Sequence, residues 1–366
     1  MTPAEHPPGR HLVLVGPTAS GKSAVAVALA ELRASAGRPT EIVSCDSMAV
    51  YRGMDIGTAT PTECERSGVP HHLLNVIDPS DEFSVKEFVG LVDDALGDIA
   101  SRGASAVLVG GTGLYIQAVV DRFDLPGRYP EVAAQLELLG TDELAARLEA
   151  LDPLAASRVP PGNRRRLVRA LEVTIGSGRP FSASGPGMDA YPPTPFVLTG
   201  LSVPRDDLGP RIAERYRRQM DAGFLDEVAA LDAGAGWSRT AREALGYREL
   251  AAHLRGECAL DEAIDAAVIR TRRFAVRQQQ WFGRDPRIRW FDAPRPGAGD
   301  GADGDGVEMC SSAILDPCAS AERQPGVNLV IVQGPSGPDA WPMHPDWVRR
   351  IRNDCEEAGE IGRAHV

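Results

Sequence analysis

Lysine is almost missing from this sequence. Of its 39 basic residues only Lys22 and Lys86 are lysines, so arginine abundance follows the Ala-, Gly- and Pro-rich, G+C-rich style of the whole chain and carries little functional weight alone. Cysteine is sparse as well. The six, Cys45, Cys64, Cys258, Cys310, Cys318 and Cys355, form no C-x-x-C pair and accompany no His-x-x-x-His spacing, which argues against a disulfide framework and a structural zinc site. No apolar run approaches the roughly 20 residues that span a bilayer, and the opening Met1 to Arg10 lacks the basic-then-apolar order of a secretory signal. A membrane role is therefore not expected, and the cytoplasm is the expected location.

What is present suffices for a large folded body. The chain has 366 residues, 43% of them hydrophobic, enough for two domains and at least one sizeable core. Its net charge is −12, and twelve acidic against six basic residues from Arg295 onward place half of that in the last stretch. An acidic body restricts any nucleic-acid surface to a local basic patch.

Hydrophobic patterning predicts the organisation. Apolar runs over 11–15, 41–45, 104–109 and 196–201 are too short for helices and read as buried strands. Helical stretches, among them 24–30 and 85–100, lie between them. Alternation of this kind predicts an α/β fold, a P-loop NTPase-like parallel sheet flanked by helices, with ligands gathering beyond the carboxyl ends of the strands. Between 125 and 195 strand signals vanish. Helices over 131–139, 142–151 with Thr141 as cap, and 164–175 ending at Gly176 and Gly178 predict an all-helical insertion domain. Two long helices, 211–231 and 261–282, follow before Trp290. The expected division is a first core segment over 1–124, the insertion over 125–195, a second core segment over 196–293, and a linker and unrelated tail over 294–366.

The strongest motif is the run Gly16, Pro17, Thr18, Ala19, Ser20, Gly21, Lys22 and Ser23, which fits G-x-x-x-x-G-K-[ST] and lies between a strand and a helix as that pattern requires. Its backbone N–H groups suit phosphate oxygens, Lys22 adds a mobile charge, and the Ser23 hydroxyl suits Mg²⁺. Motor and switch ATPases hold their metal with an acid at the end of a later strand. Here the strand over 104–109 ends in Gly110-Gly-Thr112 instead, which weakens that reading. Asp46, closing the second strand, is positioned as a general base or as an outer partner of a metal; a turn-forming aspartate is the plain alternative. His71 and His72 are adjacent with no carboxylate to complete a metal site, so a packing role is expected.

Six stretches in one order carry a closer likeness: Gly16 to Ser23, Asp46-Ser-Met-Ala-Val-Tyr-Arg-Gly-Met-Asp-Ile-Gly-Thr-Ala59, Pro70-His-His-Leu-Leu-Asn-Val-Ile-Asp-Pro79, Val109-Gly-Gly-Thr-Gly-Leu-Tyr115, Arg166-Leu-Val-Arg-Ala-Leu-Glu172 and Thr271-Arg-Arg-Phe-Ala-Val-Arg-Gln278. From Leu12 to about Phe291 the chain resembles the bacterial tRNA dimethylallyltransferases, also called tRNA isopentenyltransferases. The resemblance implies transfer of a dimethylallyl group from dimethylallyl diphosphate to N6 of adenosine 37 in the anticodon loop, with release of diphosphate. It implies Asp46 as the base at N6, Thr112 lining the channel between substrates, and Gly16 to Ser23 with Arg215 on the diphosphate, Ser23 through Mg²⁺. Arg211 is an alternative to Arg215. The implied tRNA contacts are Asp46, Ser47, Met48 and Ala49, then Arg165, Arg166 and Arg169 on the insertion, and Arg277 and Gln278 in the late helix. The implied partner is a tRNA anticodon stem-loop bound by a monomer, with the target base flipped out of its stack.

The sequence departs from that family's pattern at Ala49, where glutamine is common, at Ala133, where arginine is frequent, and at Val276 and Gln280, which replace a common lysine and threonine. A small-molecule kinase using ATP on the same fold stands as the competing reading, and a non-catalytic RNA-binding P-loop protein as a third. The tail is outside the likeness. Residues 327–358 weakly resemble the C-terminal part of a phage-associated protein family, and Glu360-Ile-Gly-Arg-Ala-His-Val366 back-translates into a common sequencing-adapter string, which suggests a chimeric origin.

Overall fold

A computed structural model describes residues 11–184, 187–234 and 236–294; the readings of the tail beyond them lie outside the described residues. β1 (Leu12–Val15) is buried along its whole length. It joins β2 (Thr40–Ser44), β3 (His71–His72), β4 (Ser105–Gly110), β5 (Val197–Ser202) and β6 (Arg289–Asp292) in one sheet of order β3-β2-β4-β1-β5-β6. Every pairing is parallel. Continuous rather than alternating apolar strands are what a sheet covered on both faces requires. Val13 lies opposite Leu108 on one side and Leu198 on the other. From β1 the chain crosses β4's place to reach β2, and later returns on β1's other side as β5. That reversal opens a crevice beyond β1's carboxyl end.

Helices pack the faces. α1 (Lys22–Ser35) rises directly from the phosphate-loop motif, α2 (Glu63–Arg66) is a single capped turn, α3 (Val85–Ser101) starts at a Ser84–Glu87 capping box, and α4 (Gly113–Val120) follows β4. The stretch after it holds α5 (Pro130–Leu136), α6 (Thr141–Leu151), α7 (Pro153–Arg158) and α8 (Arg164–Ser177), with no strand among its described residues. These helices bury their own apolar cluster, including Leu136, Leu144, Leu148, Leu167 and Leu171, apart from the main core. Thr141 is the first helical residue rather than the cap, which is Gly140. α7 escaped the periodicity argument because it is short. Its signal was local: Asp152 accepts from the Ala155 N–H, and Pro153 occupies the first turn, where its missing N–H costs nothing.

The expected helix over 211–231 is two: α9 (Arg205–Asp221) and α10 (Phe224–Asp232). Gly223, at φ 95°, takes the left-handed conformation that separates them. α11 (Arg239–Arg242), α12 (Tyr247–Leu254) and α13 (Leu260–Phe282) lead into β6. The histidine pair proves to be edge strand β3, where His72 Nε2 meets Glu41 Oε2 at 2.6 Å and His71 Nδ1 meets the Val69 carbonyl at 2.8 Å. No described helix is long and apolar enough to cross a membrane.

Candidate active site

Because all six strands are parallel, β1, β2, β4 and β5 deliver their following loops to one edge. The phosphate loop leaves β1 and ends at Gly21, whose φ of 81° turns the chain into α1. Lys22 Nζ donates to the Pro17 carbonyl at 2.7 Å and lies 3.5 Å from Ser20 Oγ. Burial lowers its pKa to about 8, with Arg215 acting in the same direction and the charge of Asp46 opposing both. The loop lysine is thus in electrostatic contact with the proposed base and with an arginine far away in sequence.

Asp46 and Thr112 stand at the carboxyl ends of adjacent strands, β2 and β4, which pair Ser44 with Val109. Beyond the paired residues the loops stay joined: the Cys45 N–H donates to the Val109 carbonyl at 2.7 Å, the Ser47 N–H donates to Thr112 Oγ1 at 3.2 Å, and Thr112 Oγ1 donates to Ser47 Oγ at 3.3 Å. Asp46 Oδ1 accepts from the Met48 N–H at 2.8 Å. The aspartate is therefore both a turn former and a fixed carboxylate. One oxygen is anchored, and the residue stays partly exposed.

Of the two arginines left open by sequence, the structure brings Arg215 onto the loop. Its guanidinium donates to Thr18 Oγ1 at 2.8 Å and to the Gly57 and Thr58 carbonyls at 3.2 and 3.1 Å. All three acceptors are neutral. Burial pushes its pKa down, the mark of a cation whose charge the surrounding protein does not balance.

Gln278 also reaches the loop, from α13. Its Oε1 accepts from the Thr18 N–H at 2.8 Å, and its Nε2 donates to the Gly111 carbonyl at 2.8 Å. Gly111 has room for this only without a side chain, since a Cβ would sit 2.1 Å from Nε2. The amide ties the phosphate loop to the β4 loop.

The residues expected to touch RNA divide. Gln278 and Ala49 are buried, and Arg169 is engaged by Glu172 at 2.9 Å and by the Pro126 carbonyl at 2.9 Å. These three have roles within the protein itself, in burial or in internal hydrogen bonds. Ser47 and Met48 stay partly exposed beside Asp46, while Arg165, Arg166 and Arg277 are exposed. Neither Arg165 nor Arg166 forms an ion pair among the described residues. The arginine-rich stretch from Arg270 to Arg289 stands out in the sequence, but Arg205 joining Arg272, Arg273 and Arg277 does not. These four line a cleft of about 430 Å³ between α9 and α13 over Leu208, Ile269 and Val276. Helical spacing within α13 was the signal that could have found most of it.

No group of three His, Cys, Asp or Glu among the described residues is arranged to hold a metal ion. The loop offers the Ser23 hydroxyl with Asp46 nearby. Such a sparse donor set suits Mg²⁺, which keeps waters and takes phosphate oxygens rather than an all-protein cage.

The chain is similar to known proteins. The family described as IPP transferase matches residues 49–285. The tRNA dimethylallyltransferase of Kineococcus radiotolerans is 48% identical over 298 residues, which cover 80% of this chain and 92% of that one. That of Streptomyces coelicolor is 47% identical over 290 residues, covering 78% and 91%. Among solved structures, the full-length tRNA isopentenylpyrophosphate transferase of Bacillus halodurans superposes with a TM-score of 0.61 at 35% identity, covering 85% of this chain and 97% of that one.

Proposed function

The chain belongs to the IPP transferase family, and from that premise we propose that it transfers a dimethylallyl group from dimethylallyl diphosphate to N6 of adenosine 37 in the anticodon loop of tRNA. In the step, a bond forms between N6 and C1 of the donor while the C1–O bond breaks. Diphosphate leaves with the bonding electrons, and the N6 proton passes to the Asp46 carboxylate. An exocyclic amine conjugated with a purine is a weak nucleophile, so a carboxylate fixed at hydrogen-bond range has a clear task.

The observation that carries the reading is the meeting of Lys22, Arg215 and Asp46 at one phosphate loop. Two partly buried cations, both bonded to neutral acceptors, suit an anionic leaving group, and the carboxylate beside them suits the incoming amine. Lys22, Arg215, Ser23 and the loop amides of Gly16 to Gly21 hold the diphosphate, and Thr112 lines the passage next to Asp46. Mg²⁺, held by Ser23, would neutralise charge on the diphosphate. Arg165 and Arg166 on the insertion and Arg277 on α13 contact tRNA phosphates, with Ser47 and Met48 beside the extruded base. The protein works as a cytoplasmic monomer.

The test is mass spectrometry of nucleosides from tRNA incubated with the protein, dimethylallyl diphosphate and Mg²⁺. The expected result is one adenosine gaining a dimethylallyl group without ATP. Unmodified tRNA together with ADP formation on a small acceptor would overturn it in favour of a kinase.

A further inference from the structure

Behind the diphosphate arm lies a carboxylate that the reaction does not use. Glu227, on α10, receives four hydrogen bonds: Oε2 accepts from the N–H groups of Asp55 at 2.9 Å and Ile56 at 2.7 Å, and Oε1 accepts from the Gly57 N–H at 3.1 Å and the Tyr247 hydroxyl at 2.6 Å. Three successive backbone amides converging on one anion normally make a ligand nest. Here the anion is the protein's own. An ionised carboxylate has about four acceptor positions and no donor, so all four partners are satisfied only by Glu.

The same turn of backbone faces the active site with the carbonyls that follow. The carbonyls of Gly57 and Thr58 accept from Arg215, and those of Ile56 and Gly57 accept from Gln219 Nε2 at 2.6 and 2.9 Å. A single layer of backbone therefore separates Glu227 from Arg215: the N–H groups of residues 55–57 lie on the anion, the C=O groups of residues 57 and 58 on the cation, and the 56–57 peptide is held at both ends, by Glu227 and Gln219. The layer has no slack. A Cβ on Gly57 would stand 2.3 Å from the Phe224 ring and 2.4 Å from the Tyr247 ring, and those two rings pack edge-on at 4.9 Å. Burial and the adjacent carboxylate push the Tyr247 hydroxyl far up from its ordinary pKa, so it stays a donor at working pH.

We propose that Glu227 is a positioning residue for diphosphate binding: by gathering the 55–57 amides it turns the Gly57 and Thr58 carbonyls so that Arg215 is aimed at Thr18 and the phosphate loop. The role rests on the reading of that loop as the diphosphate site. Glu227 touches no substrate; its effect passes through Arg215.

Non-additivity tests this. Inorganic diphosphate with Mg²⁺ is titrated calorimetrically into the full-length wild type, Glu227→Gln, Arg215→Ala and the double variant, with tRNA affinity measured beside it. Gln has nearly the volume of Glu but turns an NH₂ against the backbone donors. The expected result is a loss of about tenfold in diphosphate affinity for Glu227→Gln, a larger loss for Arg215→Ala, and no further loss in the double variant. Affinity for tRNA stays within about twofold. Wild-type diphosphate affinity in Glu227→Gln, or losses that multiply in the double variant, would overturn the proposal. If Glu227→Gln does not fold, Tyr247→Phe takes its place. Removing one of the four donors, it is expected to weaken diphosphate severalfold in the wild-type background and not at all beside Arg215→Ala; equal losses in both backgrounds reject the coupling. Prenyl transfer by the wild type is assayed separately, so failure of the proposed reaction shows there, while the titrations still decide the role of Glu227.

Discussion

At the scale of single residues, the pKa of Lys22 gives two pH effects of opposite sign. Its value in the folded chain, about 8, lies below the ordinary 10.5, so between those values the unfolded chain binds more protons at this position and stability rises with pH. Diphosphate needs the protonated form. Its affinity should therefore fall as pH rises through about 8, by up to about tenfold per unit. Against Lys22→Met as reference, the wild type should gain thermal stability and lose diphosphate affinity over the same range. Parallel trends would remove Lys22 from the anion site. Asp46→Ala should lower kcat by roughly 10²- to 10⁴-fold and leave tRNA affinity close to normal; wild-type turnover in that variant removes it as the base. Both residues were legible in the sequence because each sits at a fixed offset from a strand end. Gln278 was legible only as a position. That its amide bridges the Thr18 N–H and the Gly111 carbonyl depends on a pairing 260 residues apart in sequence, which no local pattern encodes.

Among elements, the insertion separates two kinds of arginine that sequence treats alike. Arg164 holds the Leu139 and Glu137 carbonyls at 2.6 and 2.7 Å, and Arg169 holds Glu172 and Pro126, whereas Arg165 and Arg166 are exposed. Replacing Arg165 and Arg166 by Ala should weaken tRNA binding and lower its salt slope by about one for each phosphate no longer neutralised, with the melting temperature unchanged. Arg169→Ala should instead lower the melting temperature, because Glu172 also accepts from the Tyr129 N–H and loses its cation. The separate core sharpens the contrast. Leu148 is fully buried among insertion residues, so Leu148→Ala should cost about 2–5 kcal/mol of local stability and weaken tRNA binding while diphosphate binding persists. Loss of both together would mean that the two cores unfold as one. Strong periodicity made α3, α6, α8 and α13 readable. The break between α9 and α10 was not, since Gly223 looks like any tolerated helical glycine until its φ is known. β3 was too short to show a pattern and β6, Arg289–Asp292, is charged at both ends, so sheet pairing alone makes them strands.

For the whole molecule, parallel topology is what assembles the site, and it was the most legible feature: three buried runs, each followed by a chemically loaded loop, can share an edge only if the strands run the same way. The grouping of Arg205 with the α13 arginines depends on how α9 and α13 lie over that edge and could not be read ahead, whereas Arg215 at the loop followed from the family resemblance. Every residue placed at the site lies between Gly16 and Gln278, and the family match ends at 285. The last described strand is closed by Ser202 Oγ donating to Asp292 at 2.9 Å and by the Ala293 N–H on the Ser202 carbonyl at 2.8 Å. A chain ending at Pro294 should therefore keep wild-type turnover and melting temperature. It would also shed half of the −12 net charge. RNA is a polyanion, so removing that field should speed tRNA association at low salt. The gain should fade near physiological ionic strength, where the screening length is about 8 Å. A shortened chain with lower kcat would place residues 295–366 in the working enzyme and defeat their reading as an unrelated, chimeric addition. Unchanged kcat with the predicted salt dependence would leave them only an electrostatic effect on binding.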